Sequence, residues 1–181
     1  MRKWSKLYFV MMLMVLVLLS GAVSGADVDD VKGSLVIVGG ALRADNDAVY
    51  DAFITRAGGV ENAKIGIVPA ASGNPDKYAK VFIEDMVSRG LDASQVVVLP
   101  LAVKDDSKTP DFDEATWAKN GNNAEVAEMV TSLTGVWFVG GDQLRITEVL
   151  LNSDGSNTLV LDEIWNVYKN GGVIGDRKSV V

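Results

Sequence analysis

Short, continuous apolar segments rich in β-branched residues recur along the chain, and a stretch with helical spacing follows each of the first four. The apolar segments occupy residues 34–38, 64–69, 95–99 and 135–139, and a fifth begins at Val173. Their apolar character is continuous instead of alternating, which is typical of strands buried on both faces of a parallel sheet. The pattern therefore predicts an α/β domain with helices on both sides of the sheet.

Local start signals place helices between these strands. Asp45 is a suitable N-cap for the first helix, and Asn74 followed by Pro75 opens the second. The predicted helices run from Asp45 to before Gly58, from Asn74 to before Gly90, and over residues 124–133, 144–151 and 158–169. Because right-handed crossovers join such units, we expect a three-layer α/β sandwich of flavodoxin-like or Rossmann-like type. Trp137 and Trp165 are assigned to its core.

The first 26 residues have the plan of a secretory signal peptide. Arg2, Lys3 and Lys6 precede an apolar run over residues 7–19, and small residues follow over residues 20–26. The run is shorter than the roughly 20 apolar residues of a spanning helix, so we expect cleavage and not a stable membrane anchor. The mature protein is then expected to be exported, to the periplasm or outside the cell.

Charge and composition exclude several kinds of partner and chemistry. Removal of the three positive charges in residues 1–26 takes the net charge from −7 to −10, which argues against nucleic acid and anionic membranes. The 181 residues contain no cysteine and no histidine. They therefore supply no disulfide, no thiol nucleophile, no histidine zinc ligand and no imidazole base.

Candidate chemistry lies where the strands end, since ligands of open parallel sheets bind at the carboxyl ends. Gly39–Gly40 lacks the spacing of a phosphate loop and is interpreted as a tight turn. The acidic residues between Lys104 and Glu114 lack the calcium-loop pattern and are interpreted as part of a solvated loop that extends to residue 123. No metal site and no cofactor are predicted.

The sequence Gly140-Gly141-Asp142-Gln143 carries a stronger signal. Two glycines at the end of a buried strand let a ligand approach the backbone, and the helix that follows adds its positive end. Such a place suits a carboxylate or a developing oxyanion, with Asp142 and Gln143 projecting a charge and an amide into the same crevice. The alternative interpretation is an ordinary helix N-cap at Asp142.

Five segments together resemble cyanophycinase, a family grouped with dipeptidase E among serine peptidases on a class I glutamine amidotransferase-like fold. They are SLVIVGGAL (34–42), IGIVPAASGNP (65–75), VLPL (98–101), VWFVGGDQLRIT (136–147) and GGVIG (171–175). The resemblance implies hydrolysis of the polymer cyanophycin to β-Asp-Arg dipeptides without a cofactor. It also implies that the Gly140–Gly141 backbone forms part of an oxyanion site and that Asp142 and Gln143 contact the substrate.

The chain departs from the family after Gly175. There the family has a G-T-S-A-G nucleophile elbow, with a histidine and a glutamate further along, whereas this chain continues DRKSVV. Ser179 lacks the flanking glycines and a histidine partner, so it is not interpreted as the nucleophile. We expect the catalytic serine, histidine and glutamate to lie beyond Gly175 in the parent gene. The hexapeptide matches a translated sequencing-adapter read and is expected to be a non-native tail.

The predicted organisation is therefore a signal peptide over residues 1–26, the amino-terminal part of a peptidase domain over 27–175, and a tail over 176–181. The fold would be incomplete, with one sheet edge open and apolar rows uncovered, and the fragment would be unstable or aggregated and inactive. The alternatives are a related aspartyl dipeptidase or amidohydrolase on the same fold, and a non-catalytic exported binding module. Formation of a homodimer stays open.

Overall fold

The computed structural model describes residues 31–40, 42–106, 108–109 and 113–177. Within them, five strands pair in parallel in the order β1-β5-β4-β2-β3: β1 Ser34–Val38, β2 Ile65–Val68, β3 Val96–Val98, β4 Gly135–Phe138 and β5 Val173–Arg177. The helices are α1 Asp47–Arg56, α2 Pro75–Val87, α3 Ala124–Thr131, α4 Gln143–Leu150 and α5 Leu159–Lys169, with 3₁₀ segments at Ala93–Gln95 and Glu114–Asn122. The predicted parallel α/β architecture is confirmed.

The strand order is that of a flavodoxin-like sheet. The four strands β3-β2-β4-β5 reproduce the start of the doubly wound order 2-1-3-4-5, and β1 occupies the place of the fifth strand. The chain leaves β2 toward one edge and later returns to the other side of β2 as β4. The topological switch point, where such sheets bind ligands, therefore lies between the carboxyl ends of β2 and β4.

Each face of the sheet carries its own apolar layer. On one face α1 and α2 pack over Trp137 of β4, whose ring stacks on Phe82 at 4.8 Å and meets Phe53 edge-on at 5.0 Å. On the other face α3 and α5 cover Val136 and Ile174. The sheet thus forms the middle layer of the predicted sandwich, and Trp137 is a core residue as expected.

Strand β1 departs from its prediction, because it is not buried on both faces. Val36 and Val38 pack against the α1 side, but Leu35 is 53% exposed and Ile37 is 76% exposed. Leu35 lies in register with Ile174, so both point to the face that α3 and α5 cover further along the sheet. β1 is an edge strand that lies beyond α5, so no described helix covers this side of it. We call this side, with Leu35 and Ile37, the open face of β1.

Two other predictions about burial are wrong. Trp165, assigned to the core, is 47% exposed on α5 and packs edge-on against Tyr168. The stretch interpreted as a solvated loop buries Asp106 to 1% exposure and Glu114 to 2%, and its second half forms the 3₁₀ segment Glu114–Asn122. Hydrogen bonds between these two residues, described below, explain how charged side chains are accommodated there.

Some predictions fall at the limits of the described residues. The signal peptide and Ser179 lie outside them. Asp176 and Arg177 continue β5 in register with Ile37 and Val38, so the strand extends past Gly175, and the non-native tail stays a prediction. In the portion of the chain that is described, no helix has the length and apolarity to cross a bilayer.

Candidate active site at the ends of strands β2, β4 and β5

Two turns meet at the switch point, one after β2 and one after β4. The Val139 N–H donates to the Val68 carbonyl at 3.0 Å, which extends the pairing of the two strands by one bond. Beyond it, the Asp142 N–H donates to the Ala71 carbonyl at 2.9 Å. The turn that contains Gly140 and Gly141 is therefore tied to the turn that contains Ala71. The place where the two turns meet, at the carboxyl edge where open α/β sheets bind ligands, is called the crevice below.

Gly141 is required by this contact. Its φ is +152°, and a Cβ at this position would lie 2.0 Å from the Ala71 oxygen and 2.5 Å from the Ala71 carbonyl carbon. Side chains are disfavoured at positive φ, and backbone atoms cannot give way as the end of a flexible side chain can. The glycine thus permits the close approach of the two turns that the sequence pattern suggested.

The Gly140 and Gly141 amides have the properties of an anion-binding pair. Both residues are half-buried, and neither N–H donates a hydrogen bond to any described residue. They precede the amino terminus of α4, whose partial positive charge adds to their own. Backbone N–H groups without an internal acceptor, held in a fixed turn, are suited to a carboxylate or an oxyanion.

Asp142 has the structural role that was left open as the alternative. Its Oδ1 accepts the Leu144 N–H at 3.0 Å, so it is the N-cap of α4, and its Oδ2 lies 3.9 Å from Nε of Arg145. The side chain is nevertheless 47% exposed at the crevice. Gln143, the first residue of α4, is exposed and makes no side-chain hydrogen bond to another described residue. Its amide is therefore available at the rim.

Strand β5 brings the chain to the same edge. It lies beside β4, with Gly175 in register with Trp137 and Asp176 in register with Phe138. The Asp176 carboxylate accepts the Val38 N–H at 3.2 Å and so closes the end of the β1–β5 ladder. The Gly140–Gly141 turn is therefore adjacent to the tip of β5.

Two further residues support the crevice, of which Arg145 was not predicted and Ser72 was predicted only to lie at a strand end. Arg145 reaches back from α4 and donates from Nη1 to the Ala71 carbonyl at 3.0 Å. Ser72 is 1% exposed, and its Oγ accepts the Asn74 N–H at 3.0 Å, so its hydroxyl supports the turn. The sequence signal for Arg145 was its position three residues after Asp142 at the start of a helix, because side chains at this spacing are neighbours.

A pair of buried carboxylates supports the neighbouring loop. Asp106 Oδ2 accepts the Lys77 N–H in the first turn of α2 at 3.4 Å, and the Asp106 N–H donates to Glu114 Oε2 at 3.1 Å. The Thr109 hydroxyl donates to Glu114 Oε1 at 2.8 Å. Burial alone would raise the pKa of Glu114, but these hydrogen bonds outweigh it and hold the pKa below its usual value.

Outside this crevice, the described residues form a cavity at the opposite edge of the sheet but no cluster suited to a metal ion. No group of three or more histidine, cysteine or acidic side chains in the described portion is arranged to hold a metal ion. A cavity of about 450 Å³ lies among Arg56, Thr134, Glu163 and Gly171, at the amino ends of the strands. That edge is opposite to the one where parallel sheets bind ligands, so we place the candidate site at the crevice.

Comparison with known proteins shows similarity to cyanophycinases. No family model matches the chain. Two curated cyanophycinases, from Synechococcus elongatus and from Thermosynechococcus vestitus (strain NIES-2133 / IAM M-273 / BP-1), are each 27% identical over 120 residues, which cover 66% of this chain and 32% of theirs. The resemblance to cyanophycinase seen in the motifs is confirmed. The chain spans about a third of the length of these relatives.

A solved structure has the same fold. The crystal structure of a peptidase from an acI-B1 Actinobacterium matches with a TM-score of 0.54 and 20% sequence identity, over 82% of this chain and 55% of that one. At this identity the match speaks for the fold alone. Together with the sheet order, it supports the assignment of a flavodoxin-like sandwich.

Proposed function

We propose that this chain is the amino-terminal part of an exported serine peptidase of the cyanophycinase type. The observation that carries the proposal is the crevice at the switch point, where the Gly140 and Gly141 amides have no acceptor among the described residues and their turn follows β4, the neighbour of β5. The likeness to two cyanophycinases supports the same reaction class. Hydrolysis of an amide bond passes through a tetrahedral oxyanion, which such amides stabilise.

The residues of the crevice have separate parts in the proposed reaction. The Gly140 and Gly141 N–H groups bind the oxyanion, and the contact of Gly141 with Ala71 holds them in place before the substrate arrives. Gln143 contacts the substrate through its amide, and the exposed part of the Asp142 carboxylate lies beside it. The proposed substrate is cyanophycin, whose arginine side chains are cationic and suit an acidic protein, with a net charge of −7 over the 181 residues and −10 without residues 1–26.

The nucleophile and its base come from residues that follow β5. The 181 residues contain no histidine, so a serine–histidine pair cannot be assembled from them. A serine on a tight turn after β5 would lie at the same edge as Gly140, because β4 and β5 are neighbours. By this proposal the chain by itself has no peptidase activity.

The open face of β1 supports the proposal that further polypeptide completes the fold. Leu35 and Ile37 expose apolar side chains on a sheet face that α3 and α5 cover further along, and the matched residues make up only 32% of the curated relatives. An uncovered apolar row on an edge strand favours aggregation. A segment that packs over this row would bury it and complete the second layer of helices.

The test uses cyanophycin and the genomic continuation of the gene. The 181-residue chain is expected to release no β-Asp-Arg, whereas the extended protein releases it, and replacement of the serine after β5 by alanine abolishes the release. Turnover by the 181-residue chain, or a continuation that encodes no serine near β5 and no histidine, would contradict the proposal. Comparison of cyanophycin with short aspartyl dipeptides distinguishes a cyanophycinase from a related dipeptidase.

The absence of histidine favours one other candidate, an exported module that binds an anionic ligand at the same amides without catalysis. Binding of β-Asp-Arg by the extended protein, measured calorimetrically, without any turnover of cyanophycin would favour this second function.

A further inference from the structure

The Ala71 carbonyl at the switch point accepts two hydrogen bonds from the opposite wall of the crevice. The Asp142 N–H donates to it at 2.9 Å and Arg145 Nη1 at 3.0 Å. A carbonyl oxygen has two lone pairs, so both are used. The bond from the guanidinium is charge-assisted, and the Arg145 side chain is 24% exposed, which limits competition from water.

Arg145 spans the crevice from one wall to the other. It begins on the first turn of α4, and its guanidinium reaches the turn after β2, where a Cβ on Gly73 would lie 3.9 Å from Nη1. Its contact with the Asp142 carboxylate is longer, with Nε 3.9 Å from Oδ2, and that carboxylate is half exposed. Such an exposed pair contributes little, so the carbonyl is the main partner of Arg145.

The Ala71 carbonyl in turn determines the conformation of Gly141. The Gly141 backbone is pressed against it so closely that a Cβ would lie 2.0 Å from the oxygen. A rotation of the Ala71 peptide would therefore displace Gly141 and break the bond from Asp142. We propose that Arg145 is a positioning residue: by holding the Ala71 carbonyl, it fixes the turn that presents the Gly140 and Gly141 amides.

The proposed role in catalysis rests on the proposed function, but the positioning itself is tested without substrate. Amide hydrogen exchange of the extended protein, followed by ¹⁵N nuclear magnetic resonance, reports on the Asp142 N–H. Arg145→Met keeps the apolar stem and removes the guanidinium. Loss of this support is expected to accelerate exchange of the Asp142 amide about tenfold, the effect of losing roughly one hydrogen bond.

Two controls separate positioning from general destabilisation. Arg56→Met removes a guanidinium that donates to the Ala52 carbonyl at 2.9 Å on exposed α1, and it should leave the Asp142 amide unchanged. The Leu99 N–H, bonded to the Ile67 carbonyl at 2.8 Å within the sheet, is the internal reference in every variant. Millimolar guanidinium ion should slow the exchange of Asp142 in Arg145→Met again, because it can occupy the vacated place.

The results test the positioning role of Arg145 and its consequence for catalysis separately. Unchanged exchange of Asp142 in Arg145→Met, equal acceleration at Asp142 and Leu99, or failure of guanidinium to restore protection would overturn the positioning role. In the extended peptidase, Arg145→Met should lower kcat with KM unchanged, because the oxyanion forms only in the transition state. An unchanged kcat would overturn the catalytic consequence. If the extended protein never hydrolyses cyanophycin, the proposed function fails while the exchange result stands.

Discussion

Replacement of Gly141 by alanine is expected to destabilise the protein strongly. The new Cβ would lie 2.0 Å from the Ala71 oxygen and 2.5 Å from its carbonyl carbon. Both atoms belong to the backbone, so the turns must separate. The separation breaks the hydrogen bond from the Asp142 N–H to Ala71, which is 2.9 Å long.

Two terms set the size of this effect. The lost hydrogen bond contributes about 1 kcal/mol. A side chain at an unfavourable backbone conformation adds about 1–3 kcal/mol. The free energy of unfolding should therefore fall by about 2–4 kcal/mol, out of a total that is about 5–15 kcal/mol for an ordinary domain.

A series of three variants separates these two terms in urea unfolding followed by tryptophan fluorescence. Gly39→Ala, with no atom within 4 Å of the new Cβ and no positive φ, is the baseline and should change stability by at most about 0.5 kcal/mol. Gly155→Ala, at a φ of +82° and also with nothing within 4 Å, should cost about 1–2 kcal/mol from its conformation alone. Gly141→Ala adds the clash and should exceed both.

The comparison of Gly141→Ala with Gly155→Ala is decisive. If the two variants lose equal stability, the Gly141 turn is not packed against Ala71, and the argument for a crevice held in advance of substrate is wrong. A larger loss of stability in Gly141→Ala than in Gly155→Ala, together with faster exchange of the Asp142 amide, supports the argument.

Three further predictions concern pH and surface. Burial, and then the 2.9 Å hydrogen bond to the Asp85 carboxylate, raise the pKa of Tyr50 to about 12, above the unfolded value near 10. The stability that Tyr50 contributes is therefore complete below about pH 10 and is lost as the pH rises toward the folded pKa. The urea midpoint of the protein should fall over this pH range, and the midpoint of Tyr50→Phe should fall less. The pKa of Glu114 is lowered in the folded protein, so this residue stabilises the fold at pH values above the usual glutamate pKa. The stabilisation is lost as the pH falls through the pKa that Glu114 has in the folded protein. Glu114→Gln should lower the free energy of unfolding at neutral pH by about 1–3 kcal/mol and weaken the acid dependence, and an unaltered acid profile would contradict this. Leu35→Ser with Ile37→Ser, on the open face of β1, should reduce aggregation in light scattering without lowering the thermal midpoint, and a large loss of stability would indicate that this face is covered.

The elements and their limits were largely predictable from the sequence, because the signals for them are local. The apolar run SLVIV coincides with β1, and the helix opened by Pro75 begins at that residue in the structure. Helix α3 ends at Thr131, two residues before the predicted end. Continuous β-branched runs and capping residues act over a few positions, so they are visible without knowledge of the fold.

The Gly140–Gly141 turn was also predictable, because two glycines between an apolar run and a helix are a local pattern. The identity of its support was not. Arg145 and Ala71 are 74 residues apart and meet only because β2 and β4 are neighbours in the sheet. No pattern along the chain states which strands are adjacent.

Burial is the property that only the tertiary structure decided. Leu35 and Val36 both read as core, yet the order of the strands puts β1 at an edge where one of its faces has no described helix above it. Asp106 and Glu114 read as solvated, yet their hydrogen bonds to backbone N–H groups and a hydroxyl allow them to be buried beside α2. Whether a side chain is buried depends on what packs against it from elsewhere in the chain. The sequence by itself determined the strands, the helices and the turn at Gly141, whereas long-range pairing decided which of them meet at the crevice.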